Sequence, residues 1–259
     1  MRAADLSRLA EHAWIRRIEF HQSLASTNDR AATLASEEQL ACPALVIAAE
    51  QTAGRGRGGN RWWSSPGGLM FSLVLQSKPQ LAAANWSGYS LTAGLAICEA
   101  LAAECPLAEC TVKWPNDVYA NGRKICGILI ESPAKARGRL IVGVGVNVNN
   151  SFQAAPHELQ ETATALLDLT GERHDLSNVL LGTLDRLQYR WQQLGEHGWG
   201  TILDDYRERS LLTGRTAQLK VGSQIITGRC LGIDTDGELI LQTEEGRQSF
   251  AAGSIVQFE

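Results

Sequence analysis

The sequence has no apolar stretch long enough to cross a bilayer. Its longest, at 44–49 and 140–146, fall far short of the roughly 20 residues that a membrane helix needs. It also lacks an apolar signal core, since residues 1–11 carry charges inside an amphipathic pattern. Positive charge is not in excess: 24 Lys and Arg against 28 Asp and Glu leave a net −4, which argues against a general nucleic-acid binder. There is no CxxC pair among Cys42, Cys98, Cys105, Cys110, Cys126 and Cys230, and most of these lie in apolar runs. That argues against a zinc site or a disulfide framework and for reduced thiols filling a core. A reducing, cytoplasmic location is expected. No repeat and no low-complexity linker interrupts the chain. What remains is a globular protein of 259 residues and 44% apolar content, enough for one large domain, or one with a small appendage.

Short β-rich runs alternate with helical patterns, which predicts a mixed α/β (α+β) fold. Strands are expected at 15–20, 44–49 and 69–76, with a helix opening at Ser26-Thr27-Asn28. A helix over 86–103 carries Leu91, Leu95, Cys98 and Leu101 on one face. Strand-like runs follow at 111–113, 118–120, 124–131 and 139–148, and Asn121-Gly122 supplies a tight hairpin turn. A long helix then places Leu176, Val179, Leu180, Leu184, Leu187, Trp191 and Leu194 at helical spacing, which reads as core. After Arg209 the pattern changes to five short β-like runs, at 216–220, 224–233, 238–242, 247–251 and 254–258. These predict a small closed barrel over 211–259 behind a larger domain over 1–210.

Chemistry concentrates in a few segments. Residues 54–68 hold six glycines together with Arg55, Arg57 and Arg61. Glycine lets backbone N–H groups approach an anion, and guanidinium groups grip carboxylate or phosphate. Trp62 offers a ring to a purine. An RGG-like patch for RNA is the other reading, but the segment lies between two strands of a folded domain, which favours a ligand-closing loop. Its glycine content makes it costly to order, so it is expected to be mobile until a ligand binds. Lys113-Trp114-Pro115-Asn116-Asp117, with Lys124 and Gly127 just beyond the hairpin turn, brings cations, an amide and a carboxylate to one strand end. Such a set suits phosphoryl chemistry, although a Pro-Asn-Asp turn with solvated lysines is the plainer alternative. Ser26-Thr27-Asn28 reads equally as a helix cap or as a grip on a small polar head group. Asn147, an amide in an apolar strand, needs a partner, and a ligand is one candidate. His21 is assigned no role.

In this order the segments resemble the biotin–protein ligase family, over nearly the whole chain from about residue 15. The resemblance rests on Ser26-Thr27-Asn28, on Glu50-Gln51 through Gly54-Arg55-Gly56-Arg57, on Lys113 to Asp117, on Arg123-Lys124 through Gly127, and on Gly143 to Asn147. It implies a central mixed-sheet catalytic domain followed by an SH3-like β-barrel. It also implies adenylation of biotin by ATP with Mg2+, then transfer to a lysine of the biotin carboxyl carrier protein of acetyl-CoA carboxylase or another biotin-dependent carboxylase. Biotin would meet Ser26, Thr27, Asn28, Gln51, Gly54, Arg55, Gly56, Arg57, Lys124 and Gly127. The nucleotide would meet Trp62 (or Trp63 beside it), Lys113, Asn116 and Asn147. Lys124, Arg57 and Asp117 are the catalytic candidates, and no protein-only metal site is expected. Lipoate or octanoate ligation is the neighbouring alternative. Many relatives carry an N-terminal DNA-binding unit. Only about twenty-five residues precede Ser26 here, so DNA binding is not expected, while a homodimer is compatible with the resemblance.

Overall fold

The computed structural model describes residues 3–77, 86–134, 136 and 138–259. Met1 and Arg2, part of the amphipathic N-terminal pattern, lie outside them. After α1 (Ala3–Ala10), β1 (Arg17–Leu24) and β2 (Ala44–Gln51) run parallel, connected through α2 (Thr27–Ala35). β3 (Leu69–Gln76) follows, then α3 (Trp86–Glu104), β4 (Cys110–Lys113), β5 (Asp117–Ala120), β6 (Arg123–Glu131) and β7 (Arg139–Val146). They form one mixed seven-stranded sheet in the order β1-β2-β3-β7-β6-β5-β4, antiparallel except for β1 and β2. The β5–β6 turn is the expected one: Asn121 and Gly122 take φ of 48° and 75°.

Alternation along the strands explains both faces. On β3, Leu69, Phe71, Leu73 and Leu75 enter the main core, which they share with α3 and the long helix α6 (Leu176–His197). Val74 points the other way, into a second core beneath α2 with Ala31, Leu34, Val46 and Ile141. With both faces covered, the strand reads as a continuous apolar run, and Ser72 is its polar exception. On β7 the core positions are Leu140, Val142, Val144 and Val146, so Gly143 and Gly145 face the side of α2. Beyond the end of α2 that face opens into the candidate site.

Three short helices escape the sequence reading: α4 (His157–Thr162), α5 (Leu166–Thr170) and α7 (Gly200–Glu208). So does α1, as a defined helix. The first strand starts at Arg17 rather than residue 15 because β1 is a half-exposed edge without clean alternation.

The C-terminal unit contains β8 (Thr216–Val221), β9 (Gln224–Ile233), β10 (Leu239–Thr243), β11 (Gly246–Phe250) and β12 (Ser254–Phe258). Its antiparallel order is β11-β10-β9-β8-β12, the small SH3-like β-unit expected at this end. Among the described residues no pairing joins β11 to β12, so hydrogen bonds do not close the barrel. Leu219, Cys230, Ile233, Leu239 and Leu241 belong to the same core cluster as α3, β4 and α7, so the unit is fused to the larger body. All six cysteines are free, five of them buried. Among the described residues no helix is long and apolar enough to cross a membrane.

Candidate active site

One pocket gathers residues from α2, the glycine-rich loop, β5 to β7 and the start of β12. At one end stands the N-terminus of α2. Ser26 occupies the N-cap position, yet its side chain makes no capping hydrogen bond. Ser26 lines the pocket, and the missing capping bond weakens the plain helix-cap reading. Thr27 donates its backbone N–H to Gln51 Oε1 at 2.7 Å, and its hydroxyl lies 3.0 Å from the same oxygen. The Gln51 Nε2 donors remain available. Asn28 is fully engaged: Nδ2 donates to Glu131 Oε2 at 2.7 Å and to the Leu129 carbonyl at 3.3 Å, and Oδ1 accepts from Ser72 Oγ at 2.7 Å. This is a neutral, hydrogen-bonding end held from behind by the protein.

The floor is bare backbone. Gly127 on β6 and Gly145 on β7 are cross-strand partners. A Cβ on Gly145 would lie 2.5 Å from the Trp62 ring, and one on Gly127 would lie 2.9 Å from it. A Cβ on Gly143 would fall 1.9 Å from Asn28 Oδ1. A side chain at these positions would collide with Trp62 or Asn28, so glycine is required to seat those side chains rather than for backbone conformation.

Much of the remaining lining is cationic. Residues 54–62 fold back as a hairpin: Arg55 bridges Arg61, the Gly56 N–H donates to the Asn60 carbonyl at 2.7 Å, and Gly58 and Gly59 turn at φ of 64° and 82°. Specific partners meet the loop along its length. Arg55 places Nη1 and Nη2 on the two oxygens of Glu131, each at 2.9 Å, and Nη2 on Asp29 at 2.8 Å. Those bonds push its pKa further up. Arg57 reaches the carbonyl of Gly253 at 3.4 Å and Asn116 Oδ1 at 3.5 Å, and burial lowers its pKa. Burial also lowers the pKa of Lys113, against the pull of Asp117. Its ammonium lies between the Tyr119 and Phe258 rings, 5.3 and 5.2 Å from their centroids, and 3.5 Å from the Ile255 carbonyl. Lys124 pairs with Asp117 at 2.6 Å and lies 5.8 Å above the Trp62 ring.

The pocket lining therefore includes Ser26, Thr27, Asn28, Gln51, Arg55, Gly56, Arg57, Trp62, Lys113, Asn116, Asp117, Lys124 and Gly127. Gly54, Trp63 and Asn147 are outside it. Trp63 packs on Phe152 with ring centroids 5.1 Å apart. Asn147, 3% exposed, finds its partner in Asn150, whose Nδ2 donates to Asn147 Oδ1 at 3.0 Å. Ser72, Asp29 and Glu131 were not singled out from the sequence. Their importance arises from pairings up to 103 positions apart, which no local pattern signals. Among the described residues no three His, Cys, Asp or Glu side chains converge on a metal position. Asp117 is the one carboxylate lining the pocket, so magnesium would enter as the counter-ion of a triphosphate substrate.

Two family models match the chain: the Biotin/lipoate A/B protein ligase family over residues 20–149, and the Biotin protein ligase C terminal domain over residues 214–256. The biotin--[acetyl-CoA-carboxylase] ligase of Paracoccus denitrificans is 36% identical over 234 residues, covering 89% of this chain and 96% of its own. The bifunctional ligase/repressor BirA of Bacillus spizizenii is 34% identical over 214 residues; the match covers 82% of this chain and 65% of that protein. Among solved structures, the biotin protein ligase of Aquifex aeolicus in complex with biotin and ATP superposes with a TM-score of 0.81. It is 31% identical, over 94% of this chain and 99% of that one.

Proposed function

The chain belongs to the biotin/lipoate A/B protein ligase family, and from that premise we propose that it is a biotin–protein ligase, which uses ATP to join biotin to a carrier lysine. The observation that carries this reading is the polarity of one pocket. Ser26 and Gln51 offer neutral hydrogen-bonding groups beside α2, Gly127 and Gly145 leave bare backbone under the Trp62 ring, and Arg57, Lys113 and Lys124 gather near a single carboxylate, Asp117. Its complement is a molecule with a neutral polar head, a narrow apolar middle and a terminal anion. Biotin has a ureido head, a thioether ring with an alkyl tail, and a carboxylate. Lipoate and octanoate share the tail and the anion but would leave the head-group donors unpaired, the kind of mismatch that a site rejects strongly.

Attack of a biotin carboxylate oxygen on the α-phosphorus of ATP forms one P–O bond while the bond to pyrophosphate breaks. Biotinyl-5′-AMP and pyrophosphate result. Both reactants are anions, so Lys124 and Arg57 are assigned the neutralisation that brings them together. Trp62, poised over Gly127 and Gly145, is assigned to the purine, with Asn116 and Lys113 beside the nucleotide. Arg55 serves from behind, through its two carboxylate partners. A carrier lysine then attacks the acyl carbon, the C–O bond breaks, and AMP departs with its electrons. That lysine must shed a proton from an ordinary pKa of ~10.4, and Asp117 is assigned to receive it or to orient the ammonium. The acceptor is a biotin carboxyl carrier protein, with that of acetyl-CoA carboxylase as the finer assignment. The division of labour falls at 210/211: chemistry before it, support of the cationic end after it.

Mass spectrometry after mixing the protein with ATP, magnesium and one acid at a time tests the substrate. Biotin should give an acyl-adenylate, and lipoate and octanoate little or none. An equal or better yield from lipoate would overturn the assignment.

A further inference from the structure

Behind the neutral end, the side chains form a ring. From Gln51 Oε1 it passes to Thr27 at 2.7 and 3.0 Å, then to Ser72 Oγ, 2.8 Å from Thr27 Oγ1. Ser72 Oγ lies 2.7 Å from Asn28 Oδ1, and Asn28 Nδ2 lies 2.7 Å from Glu131 Oε2. Glu131 then receives both Nη groups of Arg55 at 2.9 Å, and Arg55 follows Gln51 by four residues, closing the circuit through the backbone. Glu131 is the junction. It accepts both from α2, through Asn28, and from the glycine-rich loop, through Arg55, which also reaches Asp29 of α2 at 2.8 Å.

An exposed ion pair alone contributes little, and Arg55 is 42% exposed. Two features distinguish this one. The guanidinium–carboxylate contact is two-pronged, which fixes direction as well as distance. The same carboxylate also satisfies Asn28, 3% exposed, whose amide would otherwise keep only the longer bond to Leu129. Nor can Asn28 relax toward β7 unless Gly143 stays bare, because its Oδ1 already occupies the place of a Cβ there.

We propose that Glu131 is a positioning residue for biotin: it sets the head-group end of the pocket and, through the same carboxylate, holds the glycine-rich loop against α2. The inference rests on reading this pocket as the biotin site. It predicts that losing the carboxylate weakens biotin capture far more than turnover, since Glu131 touches no reacting atom.

The experiment compares Glu131→Gln and Glu131→Ala with the unaltered protein in two assays. Trypsin cleavage after Arg57 and Arg61 is timed without ligand, and thermal unfolding is measured in parallel. Steady-state kinetics then gives KM for biotin and kcat at saturating biotin and ATP. Glu131→Ala should speed cleavage and raise KM about tenfold or more, with kcat within about threefold. Glu131→Gln, which can still accept from Asn28, should fall between. Unchanged cleavage and KM in both variants would overturn the proposal. So would a loss of kcat that tracks the fall in Tm while KM stays put. If the unaltered protein does not adenylate biotin, the functional reading fails, and the ligand-free cleavage rates still decide whether Glu131 holds the loop.

Discussion

At the scale of single residues, Lys124 and Asp117 are proposed to serve different half-reactions. They lie 2.6 Å apart, so an anion in the pocket shares the ammonium with Asp117. Lys124→Ala removes the charge that faces the α-phosphate and should slow adenylate synthesis about 10²-fold or more. Asp117→Asn keeps the shape and removes the proton acceptor. It should slow transfer from preformed adenylate by at least about 10²-fold and slow synthesis much less. Single-turnover kinetics, following pyrophosphate release for synthesis and carrier labelling for transfer, separates the two. If Asp117→Asn abolishes synthesis and spares transfer, a magnesium or nucleotide role replaces the one assigned here. Both residues stand in the sequence beside a proline turn and a hairpin, where charge and spacing advertise them. Ser72 and Glu131 do not stand out: one looks like a stray hydroxyl in an apolar strand, the other like an ordinary charged strand end. Asn147 shows the converse. An amide in an apolar run demands a partner, and the partner is Asn150, three residues on.

At the scale of elements, α2 presents the neutral end of the pocket, and a charge cluster fastens it to β1. Glu19 accepts from Arg30 Nε at 2.8 Å and Nη2 at 3.0 Å, and from Arg17 at 2.9 Å. The Arg30 hydrogen bond is the largest cause that lowers the Glu19 pKa to about 2, from an ordinary value of 4.5. With the folded pKa depressed, its stabilisation is present in full above about pH 4.5 and is lost as pH falls through about 2. Glu19→Gln should therefore lower Tm near neutral pH, and the gap to the unaltered protein should close between those two values. Thermal melts across that range check it, and a gap independent of pH would contradict the ion-pair account. The strands were legible because buried runs and turns leave strong marks: the Asn121-Gly122 hairpin and the five short β-runs near the C-terminus both correspond to structure. The four short helices were not legible, since α4 and α5 have only 6 and 5 residues and too few apolar positions to show a period. The hairpin made by the glycine-rich loop was not legible, because its partners Glu131, Asp29, Asn116 and Gly253 are all distant in sequence.

At the scale of the whole molecule, the two sheets make one body around the site. Trp114 donates Nε1–H to the Gly237 carbonyl at 3.1 Å, the Val112 N–H donates to the Arg209 carbonyl and the Leu211 N–H to the Val112 carbonyl, and Ser254 and Ile255 line the pocket. The sequence separates these units by composition, whereas contacts such as Lys113 with Phe258 appear only once the chain is folded. The account holds that this body converts the anion at one end of its pocket into an acyl donor for an outside lysine. The most direct measurement is intact and peptide mass spectrometry of a biotin carboxyl carrier domain incubated with the protein, biotin, ATP and magnesium. The account predicts one biotinyl group on a single carrier lysine, dependent on ATP and accompanied by AMP and pyrophosphate. A carrier left unmodified while the adenylate accumulates, or labelled equally without ATP, would contradict it.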